Sequence, residues 1–204
     1  VEERLPENPY VAVGLDGIGK YGGTMRQSFN GMADHASMTH MNNRGLININ
    51  QDMEIHPMMA DSWEISPDAT TYTFHLRKGL KWSDGAPLTV EDFRFYYEDT
   101  ILNREYTKVQ PEWLASVIEG ERVPATFSTP DDLTVQFTFA QPKALFYYWG
   151  SVILGIPALP AHYLKPFHPA YADKATLDKA VADAQLDDWT ELFTKKVDKV
   201  NNVE

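Results

Sequence analysis

Asp34, His35 and His40 are the residues of this 204-residue sequence whose types could hold a metal or run a hydrolysis. Their spacing does not favour it. His35 and His40 are five apart, whereas two histidines share one face of a zinc-binding helix at i and i+4. His162 and His168 are six apart, with Pro166 between them. Glu98-Asp99, Asp131-Asp132 and Asp187-Asp188 are adjacent carboxylates. Neighbours on a helix or strand point in different directions, so none of these is an acid/base pair by itself. No G-x-S-x-G nucleophile elbow occurs. Gly14 to Lys20 fits a phosphate loop and Gly17, Gly19 and Gly22 fit G-x-G-x-x-G, but Tyr21 stands where the phosphate loop needs Ser or Thr. The expectation is no catalytic residue, no metal and no cofactor. Phe146-Tyr147-Tyr148-Trp149, beside Gly150, is the remaining signal, because clustered aromatics can form either core or a ligand wall.

Composition narrows the classes further. The chain has 18 basic and 29 acidic side chains, a formal charge of −11, which argues against broad phosphate-backbone binding and so against nucleic acid. Cysteine is absent, which excludes a disulfide scaffold, a thiol nucleophile and cysteine-ligated metal. An apolar content of 43% with 12% aromatics suits a folded chain. No run of 18 apolar residues exists; Ala144 to Leu159 is the most apolar stretch, interrupted by Gly150, Gly155 and Pro157. The chain opens Val1-Glu2-Glu3-Arg4 without Met, which reads as a processed or trimmed product.

The elements that must position these residues follow from periodicity. Residues 1 to 23, broken by Pro6, Pro9 and five glycines, read as an extended arm. Thr24 to Asn30 is a short strand candidate and Asn30-Gly31 a turn. Ser37 to Ile49 reads as a short helix leading towards Pro57. Ala60 to Ile65 and Thr71 to Leu76 read as the strands of a hairpin around Ser66-Pro67-Asp68, with Gly79 turning the chain and Leu80-Lys81-Trp82 returning it. Tyr72, Phe74 and Leu76 should share one face. Thr89 and Asp92 make a capping box, and Val90, Phe93, Tyr97 and Ile101 follow at helical spacing. Pro130-Asp131-Asp132 predicts a turn, and Leu133, Val135, Phe137 and Phe139 predict one strand face. Leu145 to Trp149 reads as an apolar helix or buried segment. Thr176 to Phe193 predicts a single helix with Leu177, Ala180, Val181 and Ala184 on one face.

One long ordered signature then stands out. It runs Trp63-x-Ile65-Ser66-Pro67-Asp68, then Tyr72 to Gly85, Pro87-Leu88-Thr89 and Glu91-Asp92-Phe93. It closely resembles the family 5 extracellular solute-binding proteins, receptors of bacterial ABC importers for peptides, nickel and oligosaccharides. Gly22 to Arg26, Pro57 to Trp63 and Pro160 to Leu164 resemble further family segments, with Ala161 where lysine is usual.

The resemblance implies an α/β (mixed α+β) fold, an incomplete class II lobe of the periplasmic-binding-protein type with a small mixed sheet-and-helix domain inserted. Residues 46 to 144 would be the inserted domain, and 1 to 45 with 145 to 204 the first lobe. It implies capture of oligopeptides, or alternatively oligosaccharides, outside the cytoplasmic membrane and delivery to an ABC permease. Two lobes would close over the solute, as a monomer at full length, in the periplasm or outside the cell. A trimmed lipoprotein leader could have supplied an anchor. Family members are much longer, so the chain is expected to be an N-terminal fragment. Asn30, Gly31 and Met32, in the loop after the first strand, and Trp149 are the candidate solute contacts, whereas Trp82, Asp84 and Gly85 are expected to be structural. The alternative of another class is a metal-dependent hydrolase using Asp34, His35 and His40. Alanine at all three should leave solute capture intact; abolition of a measured turnover would favour the hydrolase.

Overall fold

The computed structural model of the chain describes residues 5–11, 17, 20, 22–24, 26, 45–49, 54–148 and 158–201. Short strands β1 (Ile47–Ile49) and β2 (Ile55–Pro57) pair antiparallel. Strands β3 (Ala60–Ile65) and β4 (Thr71–Leu76) form the expected hairpin. A second hairpin joins β5 (Ala115–Ile118) to β6 (Glu121–Pro124). Strands β7 (Thr126–Asp131) and β8 (Thr134–Thr138) complete a four-stranded antiparallel sheet in the order β3-β4-β8-β7.

Strand β4 holds the centre of this sheet. Tyr72, Phe74 and Leu76 are buried and meet Val135 and Phe137 of β8 on the inner face. The outer face is polar: Gln136 Nε2 donates to Thr73 Oγ1 at 2.9 Å, and His75 Nδ1 lies 3.1 Å from Thr134 Oγ1. This is the alternation of a sheet covered on one side only. The β3–β4 turn is held by Asp68 Oδ1, which accepts from Ser66 Oγ at 2.6 Å and from the Thr70 amide at 3.2 Å.

Helix α1 (Val90–Arg94) continues without a break into a π-helical segment, Phe95–Ile101. It starts as expected. Thr89 and Asp92 form the capping box, and the Thr89 amide donates to Asp92 Oδ2 at 2.8 Å. Its packing is richer than expected. Phe93, Tyr97 and Ile101 point into the core beneath the sheet, while Phe95 enters a second core with Leu159, Ala161, Leu164 and Phe193. Positions two apart on a helix lie on roughly opposite faces, so this helix is lined by apolar cores on two sides.

The second core is built from short elements. Helix α2 (Phe146–Tyr148) belongs instead to the first core, into which it drops Phe146. Helix α3 (Ala161–Leu164) runs into a 3-10 turn, Lys165–Phe167. Helices α4 (Lys174–Asp183) and α5 (Trp189–Asn201) follow.

Several sequence expectations fail in instructive ways. Ile47–Ile49 is strand, not helix, because it pairs with Ile55–Pro57 and buries Leu46 and Ile47 against Ala60. Residues 37 to 44, and most of the Thr24 to Asn30 strand candidate, lie outside the described residues. Leu80–Trp82 does not return along β4. Instead it forms a small turn of its own, with Lys81 bridging to Pro87. Pro130 and Asp131 belong to β7, and the turn falls at Asp132-Leu133, leaving Leu133 40% exposed. The single helix expected from Thr176 to Phe193 is two helices. Gln185 takes a positive φ of 55°, and Asp188 caps α5 by accepting from the amides of Thr190 and Glu191 at 2.8 and 3.1 Å.

The arm at Leu5 to Val11 is strapped to the sheet rather than loose. The Glu7 amide donates to Lys78 O at 2.8 Å. The buried Arg77 guanidinium donates to Asn8 O, to Met58 O at 2.6 Å and to Asp61 Oδ1 at 2.7 Å.

Asp92 is only 3% exposed. Its carboxylate also accepts from Trp82 Nε1 at 3.2 Å and from the Ala161 amide at 2.9 Å. Asp92→Ala strands three donors in the interior, so urea unfolding should show a loss of about 3 kcal/mol or more. Thr89→Ala, which touches the cap alone, should cost about 1 kcal/mol. Equal losses would mean that the buried bonds to Trp82 and Ala161 contribute little.

Candidate functional site

The sequence candidates for solute contact, Asn30, Gly31, Met32 and Trp149, all lie outside the described residues. So do Asp34, His35 and His40 of the hydrolase alternative. What the structure does give is the anchorage on either side of Trp149. Phe146 sits among Tyr72, Phe137 and Phe139 at ring separations of 4.9, 5.3 and 4.8 Å, and Trp113 stacks at 6.2 Å. The Phe146 amide donates to Lys143 O at 2.8 Å. Twelve residues after Phe146, Ala158 and then Leu159 are again buried. The described residues that flank 149–157 are therefore packed into core. Leu145, just before Phe146, is 62% exposed, so the apolar segment read at Leu145 to Trp149 is not buried at its first residue.

The signature residues act as a positioning device. Gly85 adopts a positive φ of 92°, and its amide donates to Trp82 O at 2.9 Å. Asp84 Oδ1 accepts from the Ala86 amide at 3.0 Å, closing the turn. Trp82 lies against the first core and donates to Asp92. These are the structural roles expected of Trp82, Asp84 and Gly85.

The described histidines are also engaged structurally. His162 Nε2 lies 2.8 Å from Asp84 Oδ2, and this hydrogen bond is the main reason the Asp84 carboxyl is held below its ordinary range. His168 is buried among Phe95, Trp189 and Phe193. Its Nδ1 faces the Ala170 amide at 3.3 Å and its Nε2 faces Asp99 O at 3.1 Å. Burial pushes its pKa down, so the neutral ring is favoured. Among the described residues no group of three or more His, Asp or Glu is placed to hold a metal ion.

A charge network missed by sequence reading joins α1 to the second core. Arg94 makes a two-point fork to Glu91, with Nε to Oε2 and Nη2 to Oε1 both at 2.7 Å. Arg94 Nη1 also donates to Glu98 Oε2 at 2.8 Å. Lys165 Nζ reaches Glu91 Oε1 at 2.6 Å from the far segment. Tyr171 OH donates to Asp99 Oδ2 at 2.6 Å. Arg94 foremost, with Lys165, pulls the Glu91 pKa down to about 2. The Glu91–Arg94–Glu98 spacing of three and four was a legible helical signal; the arrival of Lys165 was not.

With the turn, cap and helix in place, comparison with known proteins decides the family. A family model described as bacterial extracellular solute-binding proteins, family 5 Middle, matches residues 54–198. The chain belongs to this family. The periplasmic alpha-galactoside-binding protein of Rhizobium meliloti is 30% identical over 193 residues, covering 84% of this chain and 27% of that protein. A solved oligopeptide-binding protein OppA is 33% identical, with a TM-score of 0.82 over 95% of this chain and 30% of its own. The periplasmic binding protein MelB of Agrobacterium fabrum C58, solved with stachyose, is 31% identical with a TM-score of 0.59, covering 86% of this chain and 29% of its own. The chain thus spans less than a third of the length of these relatives. The family 5 fold accounts for the mixed sheets and helices expected from the signature.

Glu91 gives a pH test. A carboxylate depressed in the folded state stabilises fully above its ordinary value of 4.5, and this is lost as pH falls from there towards about 2. Glu91 is 41% exposed, so solvent screening limits the contribution to about 1 kcal/mol. Urea unfolding of Glu91→Gln should show that deficit at pH 7, shrinking below pH 4.5 and disappearing only below about pH 2. A deficit independent of pH would exclude the ion pairs as its source.

Proposed function

We propose that this chain is part of the substrate-binding component of a bacterial ABC importer, and that the solute it captures outside the cytoplasmic membrane is an oligopeptide. The single observation that carries the peptide reading is the match to OppA, at a TM-score of 0.82 over 95% of the chain. Its role is to bind and hand over, not to catalyse. In this reading two lobes close on the solute because the bound solute touches both, so binding energy favours the closed state. The closed form then docks on a membrane permease.

Residues 46 to 144 would be the small inserted domain, and 1 to 45 with 145 to 204 would belong to the first lobe. Asn30, Gly31 and Met32 would offer backbone groups to the main chain of a peptide. Trp149, whose neighbour Tyr148 ends the helix anchored by Phe146, would supply a flat wall. The protein would work as a monomer in the periplasm or at the cell surface, and a lipid anchor is one way to hold it there.

A specific observation favours a second solute class. The alpha-galactoside-binding relative aligns over 84% of the chain, and MelB was solved with stachyose. Calorimetry on the full reading frame separates the two, with tri- to pentapeptides in one arm and stachyose in the other. Peptide binding with no heat from stachyose is expected; the reverse would overturn the oligopeptide reading and leave the receptor reading intact. In the same assay Trp149→Ala should weaken the bound solute about tenfold with unchanged thermal stability.

A further inference from the structure

Helices α4 and α5 diverge around an open groove of about 680 Å3, within the size range of ligand sites. Its floor is apolar, formed by Leu177, Val181, Leu186, Trp189 and Pro169. Its rim is acidic. Glu105, Asp178, Asp187 and Asp188 line it, against Lys174 as the single cation. Lys174 is itself committed to Asp178, at 2.6 Å.

The groove exists because α4 is thinly packed. Among its described residues Leu177 is the one buried side chain, and the helix is kept in shape by local devices instead. Asp173 caps it by accepting from the Thr176 amide at 3.0 Å, Lys174–Asp178 pair at the groove rim, and Lys179–Asp183 pair outside the groove. Val181 and Leu186 are left half-exposed beside Trp189, whose Nε1 donates to Glu105 Oε1 at 2.7 Å. That bond fixes the indole as a wall with its carboxylate partner at the rim. An apolar floor under four carboxylates is complementary to a segment that places an aliphatic or aromatic side chain between lysines or arginines.

We propose that the α4–α5 groove, whose lining includes none of the residues proposed to touch solute, docks a basic amphipathic segment of a partner protein. The probe is an amphipathic leucine–lysine peptide of about 12 residues, titrated into the chain at low and moderate salt, with a leucine–glutamate peptide as control. Binding of the lysine peptide is expected, falling with salt because the rim charges attract it. Val181→Asp and Asp187→Lys should each weaken it about tenfold, and Lys179→Glu, outside the groove, should not. Circular dichroism checks that each variant is folded; Asp187→Lys alone suffices if Val181→Asp fails to fold.

Equal binding by all variants would overturn the proposal, as would no binding at millimolar peptide. Self-association abolished by Val181→Asp, without peptide binding, would assign the groove to a second copy instead. Peptide binding that is lost when the chain is extended through its reading frame would assign it to another segment of the same protein. Both outcomes overturn the partner reading. Solute calorimetry on the same variants should be unchanged, so failure here is distinct from failure of the receptor reading.

Discussion

The carboxylate of Asp92 sits where three parts of the chain converge. A charge removed from water persists in the interior only if hydrogen bonds replace its hydration. Here the replacement comes from the Trp82 indole, the Thr89 amide and the Ala161 amide. The Leu159 amide also donates to the Asp92 carbonyl at 3.1 Å. One residue therefore sets the direction of the Trp82 turn, the start of α1 and the register of the segment that returns at residue 158. Moving any of the three exposes a buried charge or strands a donor. The Arg94–Glu91–Lys165 contacts reinforce the same junction from its solvent side, where screening leaves them weaker.

Local chemistry was legible wherever a single element carried it. The Thr89–Asp92 box, the β3–β4 hairpin and the buried face of Tyr72, Phe74 and Leu76 all follow from spacing. The same rule was available at α5. Asp188 with Glu191 three residues on is a capping signal, and it marks the start that the one-helix reading ran through. The apolar spacing of Leu177, Val181 and Ala184 hid it, because a periodic pattern can cross a break without losing phase. Gln185, the residue with positive φ, is not of a type that announces such a turn.

Contacts between distant segments were not legible. Phe95 falls outside the apolar series Val90, Phe93, Tyr97 and Ile101, which by itself supplies a core face. Its purpose appears only when α3 and α5 are brought to the other side. His162 and His168 were judged by their mutual spacing, yet their partners Asp84 and Asp99 lie 78 and 69 residues away. Of the proposed solute contacts, Trp149 was raised by its aromatic cluster and Asn30, Gly31 and Met32 by the family resemblance alone. No periodicity points to Asn30, Gly31, Met32 or Trp149, and residues that bind need not follow a packing pattern.

A helix shared by two cores has a consequence for motion. If the sheet core and the α3–α5 core were joined by a loop alone, solute-driven closure could be absorbed by flexing between them. Here Phe93 and Phe95 are both fully buried, on opposite sides of one helix. Separating the cores would expose one of them, at a cost of about 1.5–3 kcal/mol for the ring alone. It would also break the Asp92 bonds to Ala161 and Leu159. On the receptor reading, these two cores therefore move as one body. A hinge between them would have to break both the Phe packing and the Asp92 bonds at once.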